Sequence, residues 1–167
     1  MTTTRRQLLF TGSACALALA AWFSPRRAPA AAATSEVFEV TLTDAQWRAK
    51  LTPAQYAVLR HENTERPGSS PLNQEHRAGT FACAGCALPL FSSKTKFDSG
   101  TGWPSFWKPL DNAVATRTDR TLGMARTEAH CRRCGGHLGH VFNDGPQPTG
   151  LRYCMNGLSL TFAAGAA

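Results

Sequence analysis

The sequence predicts a mainly β domain, entered through short N-terminal helices and stapled by a four-cysteine zinc site. Three observations carry this. Two helix-start signals fall before residue 62. From Gly79 onward, short apolar pieces alternate with turn-forming clusters. Two Cys-x2-Cys pairs stand 44 residues apart.

The first 33 residues read as an export leader rather than as fold. Arg5-Arg6 precedes an apolar run from Leu8 to Phe23, and an Ala-rich stretch then offers small residues two apart, as cleavage requires. The run of 16 residues falls short of the roughly 20 that span a bilayer. Cleavage therefore leaves no stable membrane insertion. Thr4-Arg5-Arg6-Gln7-Leu8-Leu9 resembles a twin-arginine signal, whose translocase accepts folded, metal-loaded proteins. A plain secretory signal and an uncleaved anchor are the competing readings. Cys15 suggests a lipoprotein, but Gly12 stands where that motif wants Leu.

Residues 34–167 remain as a single domain. They carry 14 basic and 11 acidic side chains, a net +3, because four of the 18 basic residues lie in the leader. That charge is too mild to argue for nucleic acid. A domain of this size gains from a metal or disulfide staple.

The helices come first. Thr43-Asp44 before Ala45-Gln46-Trp47-Arg48 is a helix start with Asp44 as cap. Thr52-Pro53 before Ala54–Arg60 is a second, with Thr52 capping and Pro53 in the first turn. Residues 65–71 carry Pro67, Gly68, Ser69 and Ser70, a loop. Strands are expected around 79–82, 88–91, 114–117, 140–142 and 158–162.

Cys83-x2-Cys86 and Cys131-x2-Cys134 have zinc-knuckle spacing: each pair can turn two thiolates toward one ion, and four close a tetrahedral shell. A closed shell leaves no open position, so the metal is expected to be structural. Two disulfides, or a redox-active pair, are the alternatives. Haem attachment fails, because Ala87 and Gly135 follow where His is needed.

Cys154 is left over. A lone cysteine is commonly a small buried hydrophobe, but Arg152 and Asn156 flank it at two residues on either side. In an extended piece all three share a face, and a guanidinium there favours a thiolate. His137 and His140 follow the second knuckle and are candidate proton donors, with a core hydrogen bond or metal ligation as alternatives. Gly100-Thr101-Gly102-Trp103-Pro104-Ser105-Phe106-Trp107 places Trp103 as the wall of an apolar slot; a core turn burying Phe106 and Trp107 is the other reading.

Lys96 to Phe106, Cys131-x2-Cys134-Gly-Gly-His137-Leu-Gly-His140-Val-Phe142, Asp144-Gly-Pro and Gly150-Leu-Arg152-Tyr-Cys154-Met-Asn156 together resemble the type B peptide-methionine sulfoxide reductases. The resemblance covers residues 40–163. It implies two antiparallel sheets in a tent-like fold and zinc on Cys83, Cys86, Cys131 and Cys134. It implies reduction of methionine-R-sulfoxide in oxidised proteins. The sulfur-attacking residue falls on Cys154, the methyl-packing tryptophan on Trp103 and the histidines on His137 and His140. Arg152, Asn156 and Asp144 match the arginine, asparagine and acidic residue.

One departure stands out. Many members carry a resolving cysteine where this chain has Thr101. A single-cysteine cycle is therefore expected, with an external thiol reductant such as a thioredoxin-like protein acting on Cys154. A monomeric, periplasmic or otherwise exported protein completes the expectation. A zinc-ribbon binding module and a Cys154–His140 thiol hydrolase are the rivals.

Overall fold

The computed structural model describes residues 36–166. The leader expected over 1–33, with Arg5-Arg6 and Cys15, lies outside the described residues. No helix among the described residues is long and apolar enough to cross a membrane.

Helix α1 spans Asp44–Lys50 and α2 spans Pro53–His61. Both begin in a reciprocal capping box, where a threonine hydroxyl accepts from the third helical N–H and a glutamine side chain returns the bond. In α2 the pair is Thr52 and Gln55, as the sequence indicates. In α1 it is Thr43 and Gln46. The observed cap thus lies one residue before Asp44, the cap the sequence predicts. Asp44 sits in the first turn, where its carboxylate accepts from Arg48 at 2.7 Å and from the Tyr56 hydroxyl. Trp47, Tyr56, Val58 and Leu59 are the buried face of the pair.

Among the described residues nine strands follow: β1 Gly79–Cys83, β2 Pro89–Ser92, β3 Lys96–Phe97, β4 Ser105–Phe106, β5 Val114–Asp119, β6 Arg126–Cys131, β7 His137–Phe142, β8 Arg152–Met155 and β9 Leu160–Ala164. They form two antiparallel sheets, a small one ordered β2-β1-β9 and a larger one ordered β3-β4-β8-β7-β6-β5. Phe106 of the large sheet stacks on Phe91 at 4.3 Å and meets Phe81 edge-on at 5.0 Å, so the core lies where the sheets face each other. Leu138, Met155 and Leu160 belong to that core. The strand expected from residue 158 starts at Leu160, because Gly157–Ser159 forms a tight turn.

One irregularity decides what the outer face can do. His137 pairs with His130, and His140 pairs with Glu128. Two steps on β6, from Glu128 to His130, thus oppose three on β7, with Leu138 as the extra residue of a bulge. Without it, His137 and His140 would point to opposite faces. With it, both share a face with Glu128, and cross-strand register adds Arg117, Asp119, Cys154, Arg152 and Ser105. Gly139 permits the close approach of β7 to β8, since a Cβ there would lie 2.1 Å from the Cys154 carbonyl oxygen.

Candidate active site and metal centre

The two knuckles converge at one end of the sheets. Each turns on a residue with positive φ directly after its second cysteine, Ala87 at 59° and Gly135 at 67°. Ala87 N–H donates to the Cys83 carbonyl, and Gly135 N–H to the Cys131 carbonyl, each at 2.8 Å. The four sulfurs lie within 4.8 Å of one another, Cys83–Cys134 at 3.7 Å and Cys86–Cys131 at 3.5 Å. A disulfide needs about 2.05 Å. A tetrahedral ion with metal–sulfur bonds of about 2.3 Å needs sulfur separations of roughly 3.8 Å. The residues fit the second. The sulfurs of Cys131, Cys134 and Cys86, with burial, push the Cys83 thiol far above its ordinary value. A divalent cation at this point would offset the charge of four thiolates.

Three residues beyond Cys134 begins β7, which carries the chain from the clip to the second sulfur. Cys154 on β8 is half-buried and pairs with His140 on one side and Ser105 on the other. It opens into a pocket of about 160 Å³ lined by Trp103, Arg126, His140, Phe142 and Asn156. Arg152 lies on the same strand face and is buried. Its guanidinium makes two 2.8 Å bonds to Asp144 and sits 4.3 Å over the Phe142 ring. The Asp144 hydrogen bonds raise Arg152 and hold the Asp144 carboxyl below the usual range.

Behind the pocket stand two histidine–carboxylate pairs. His140 Nε2 lies 2.8 Å from Asp119 Oδ2, and His137 Nδ1 lies 2.7 Å from Glu128 Oε1. The rings meet edge to face at 5.4 Å. Asp119 is held far below the carboxylate range by Thr121, then by His140 and Arg126. Burial would raise Glu128, but His137 and Arg117 outweigh it, and its carboxyl is held below its usual value. Burial pushes His140 down against the opposing pull of Asp119. Two ionised carboxylates thus orient two imidazoles, of which His140 stands across the strands from Cys154.

The SelR domain family matches residues 51–164. The chain is 60% identical over 121 residues to a peptide methionine sulfoxide reductase MsrB of Thiobacillus denitrificans, covering 72% of this chain and 92% of that protein. Over 125 residues it is 54% identical to a protein of the same description from Agrobacterium fabrum, 74% and 93% of the two chains. Over 126 residues it is 52% identical to another from Leptospira interrogans, 75% and 96%.

The chain belongs to the SelR domain family.

Within this family member, the structure gathers Cys154, Trp103, His140 and Asn156 around one pocket, with His137 buried beside His140 and Arg152 held by Asp144. Asn156 lies just past β8. Its Oδ1 accepts from the Glu65 N–H at 3.0 Å, and its amide donates to the Leu138 carbonyl at 3.2 Å. Phe106 is core, whereas Trp107 is half-buried.

Sequence reasoning missed four residues of this site. Asp119, Glu128 and Arg126 reach it through cross-strand register, which spacing along the chain does not reveal. Glu65, in the loop after α2, is the fourth. Its buried carboxylate accepts from the backbone N–H of Gly157 at 2.5 Å and Leu158 at 3.0 Å, and its carbonyl accepts from Trp103 Nε1 at 3.2 Å. One residue therefore ties Trp103 and Asn156 to the turn after β8. Its only sequence signal is an acidic side chain in a segment rich in turn formers.

Proposed function

We propose that the chain reduces methionine-R-sulfoxide in oxidised proteins, with Cys154 as nucleophile. The observation that carries this is the Cys154 sulfur in an apolar-walled pocket beside a carboxylate-oriented imidazole.

The Cys154 thiolate attacks the sulfoxide sulfur. The sulfoxide oxygen passes to the cysteine, which becomes a sulfenic acid, and the substrate leaves as the thioether methionine. Cysteine sulfur is oxidised by two electrons and methionine sulfur is reduced by two. The oxygen needs a proton as it leaves. His140, in the pocket wall, is the donor this reading favours: Asp119 accepts from Nε2, leaving Nδ1 to carry the mobile proton. His137, fixed by Glu128, supports that ring from behind. Trp103 receives the substrate ε-methyl and selects the epimer by shape. Arg152, held by Asp144, lends positive charge to the face that carries the sulfur.

Regeneration uses an external thiol. It attacks the sulfenic sulfur, releases water and forms a mixed disulfide, which a second thiol resolves. The reading rests on Thr101, which lies beside Cys154 and carries no sulfur. A thioredoxin-like protein supplies both thiols. Zinc on Cys83, Cys86, Cys131 and Cys134 is structural and takes no part in the chemistry; it ties β1 of one sheet to the start of β7 in the other. The sequence of residues 1–33 supports export by the twin-arginine route to the periplasm.

Epimer-resolved assays on the purified chain with a dithiol reductant test this. Turnover of the R epimer is expected, with Cys154→Ser lowering kcat/KM on the order of 10³-fold or more. Undiminished turnover in Cys154→Ser would assign the chemistry elsewhere.

A further inference from the structure

We propose that Thr101 acts in the reaction itself: its hydroxyl accepts from the Cys154 thiol and turns to donate to the thiolate. This rests on the reductase reading above and deepens it, giving a function to the residue that stands where a resolving cysteine would.

Thr101 Oγ1 lies 3.8 Å from Cys154 Sγ. On its other side it lies 2.8 Å from Ser99 Oγ, which lies 2.7 Å from Ser105 Oγ. Ser105 is fully buried, and its hydroxyl donates to the Trp103 carbonyl at 3.1 Å. That carbonyl can only accept, so it fixes the direction of the chain. Ser105 donates to it, and Ser99 donates to Ser105. With a neutral thiol, Thr101 donates to Ser99 and the S–H donates to Thr101, so every hydrogen has an acceptor.

Ionisation of Cys154 removes the S–H. Thr101 then rotates its hydrogen onto the anionic sulfur, while Ser99 keeps its bond to Ser105. No group is left without a partner in either state. Because the chain ends on an acceptor, no proton leaves along it; its effect is to follow the charge on sulfur.

The loop holds Thr101 in place for this. Gly100 and Gly102 have φ of 69° and 93°, and Asp98 Oδ1 accepts from the Gly100 N–H at 2.9 Å. The Gly102 carbonyl accepts from Gly68 N–H at 2.7 Å and from the Asn73 amide at 2.8 Å.

The test compares the full-length chain with Thr101→Val, which keeps the branched shape, and Thr101→Ser, which keeps the hydroxyl. At about pH 7, iodoacetamide should alkylate Cys154 about three- to tenfold more slowly in Thr101→Val, the range of one net hydrogen bond. Thr101→Ser should match wild type. At about pH 10, well above the range in which an ordinary thiol ionises, the rates should converge. Equal rates at pH 7, or a deficit in Thr101→Val that persists unchanged at pH 10, would overturn the assignment. Alkylation needs no sulfoxide, so this outcome is separate from wild-type turnover of methionine-R-sulfoxide; absence of that turnover would sink the reductase reading instead.

Discussion

Two sulfur sites lie on either side of one strand, β7, and have opposite designs. At the clip, four thiols crowd within 4.8 Å, close enough to hold one metal ion between them. At the pocket, a single sulfur is kept apart from them, with a hydroxyl, a histidine pair and a guanidinium around it. β7 runs between the two. It starts three residues after Cys134 and places His140 opposite Cys154. The difference teaches that the same element can be spent on rigidity or on reactivity. What decides is the number of sulfurs and whether the surroundings close the site.

The sharpest way to break this comparison is to open the closed end. A structural zinc in small domains is worth roughly 10–16 kcal/mol, as much as the net stability of about 5–15 kcal/mol of a whole domain. Cys131→Ser, or strong chelation, is expected to abolish the cooperative thermal transition and activity together. Cys154→Ser should keep both its metal and its melting temperature. Calorimetry with metal content measured on the same samples checks the pair. A Cys131→Ser chain that melts like wild type would remove the structural assignment.

The next effect is smaller and sits between the ends. Glu65 fixes the turn at Gly157–Leu158 and, through its backbone, Trp103 and Asn156. Glu65→Ala strands two backbone N–H groups and loosens the pocket wall. A displacement of about 1 Å in such a wall costs on the order of 10²-fold in rate. Kinetics on Glu65→Ala should show that loss in kcat/KM while the clip retains its metal. Unchanged kinetics would show that Trp103 needs no support from this residue.

How far the sequence foretold all this depended on what each residue's neighbours were. The clip was legible because both knuckles are local, and two-residue spacing alone determines where their thiols can point. The α2 cap was legible for the same reason, in Thr52-Pro53. β6 was not. Arg126 and Glu128 are polar because they serve the site, and His130 continues that polar face against Glu36, so the strand lacks the alternation that marks β1. β3 and β4 span two residues each, too short for any period. The pairing of His137 with His140 on one face hangs on a bulge at Leu138, and Asp119 meets His140 only across two hairpins. Asp144 was placed by resemblance alone, and the structure gives it a physical task in holding Arg152.

The smallest expected effect concerns the open end and pH. Burial lowers His140 below its ordinary 6.5, because the charged ring loses solvation that Asp119 only partly replaces. In the unfolded chain the ring takes up its proton at the ordinary value. Between the folded and unfolded values the unfolded state therefore binds more protons, and stability rises with pH across that window. The contribution is present above 6.5 and is lost as pH falls toward the folded value. Asp119 and Glu128 act in the same sense at lower pH, since both are held below their ordinary carboxyl values and lose that stabilisation on protonation. The melting temperature is thus expected to decline from about pH 7 to pH 5, and the decline should be shallower in His140→Gln. Activity should show the opposite trend over the first part of that range, because the proton donor gains its proton as stability falls. A melting temperature that rises on acidification would contradict a buried His140 and with it the assignment of the pocket's proton to that ring.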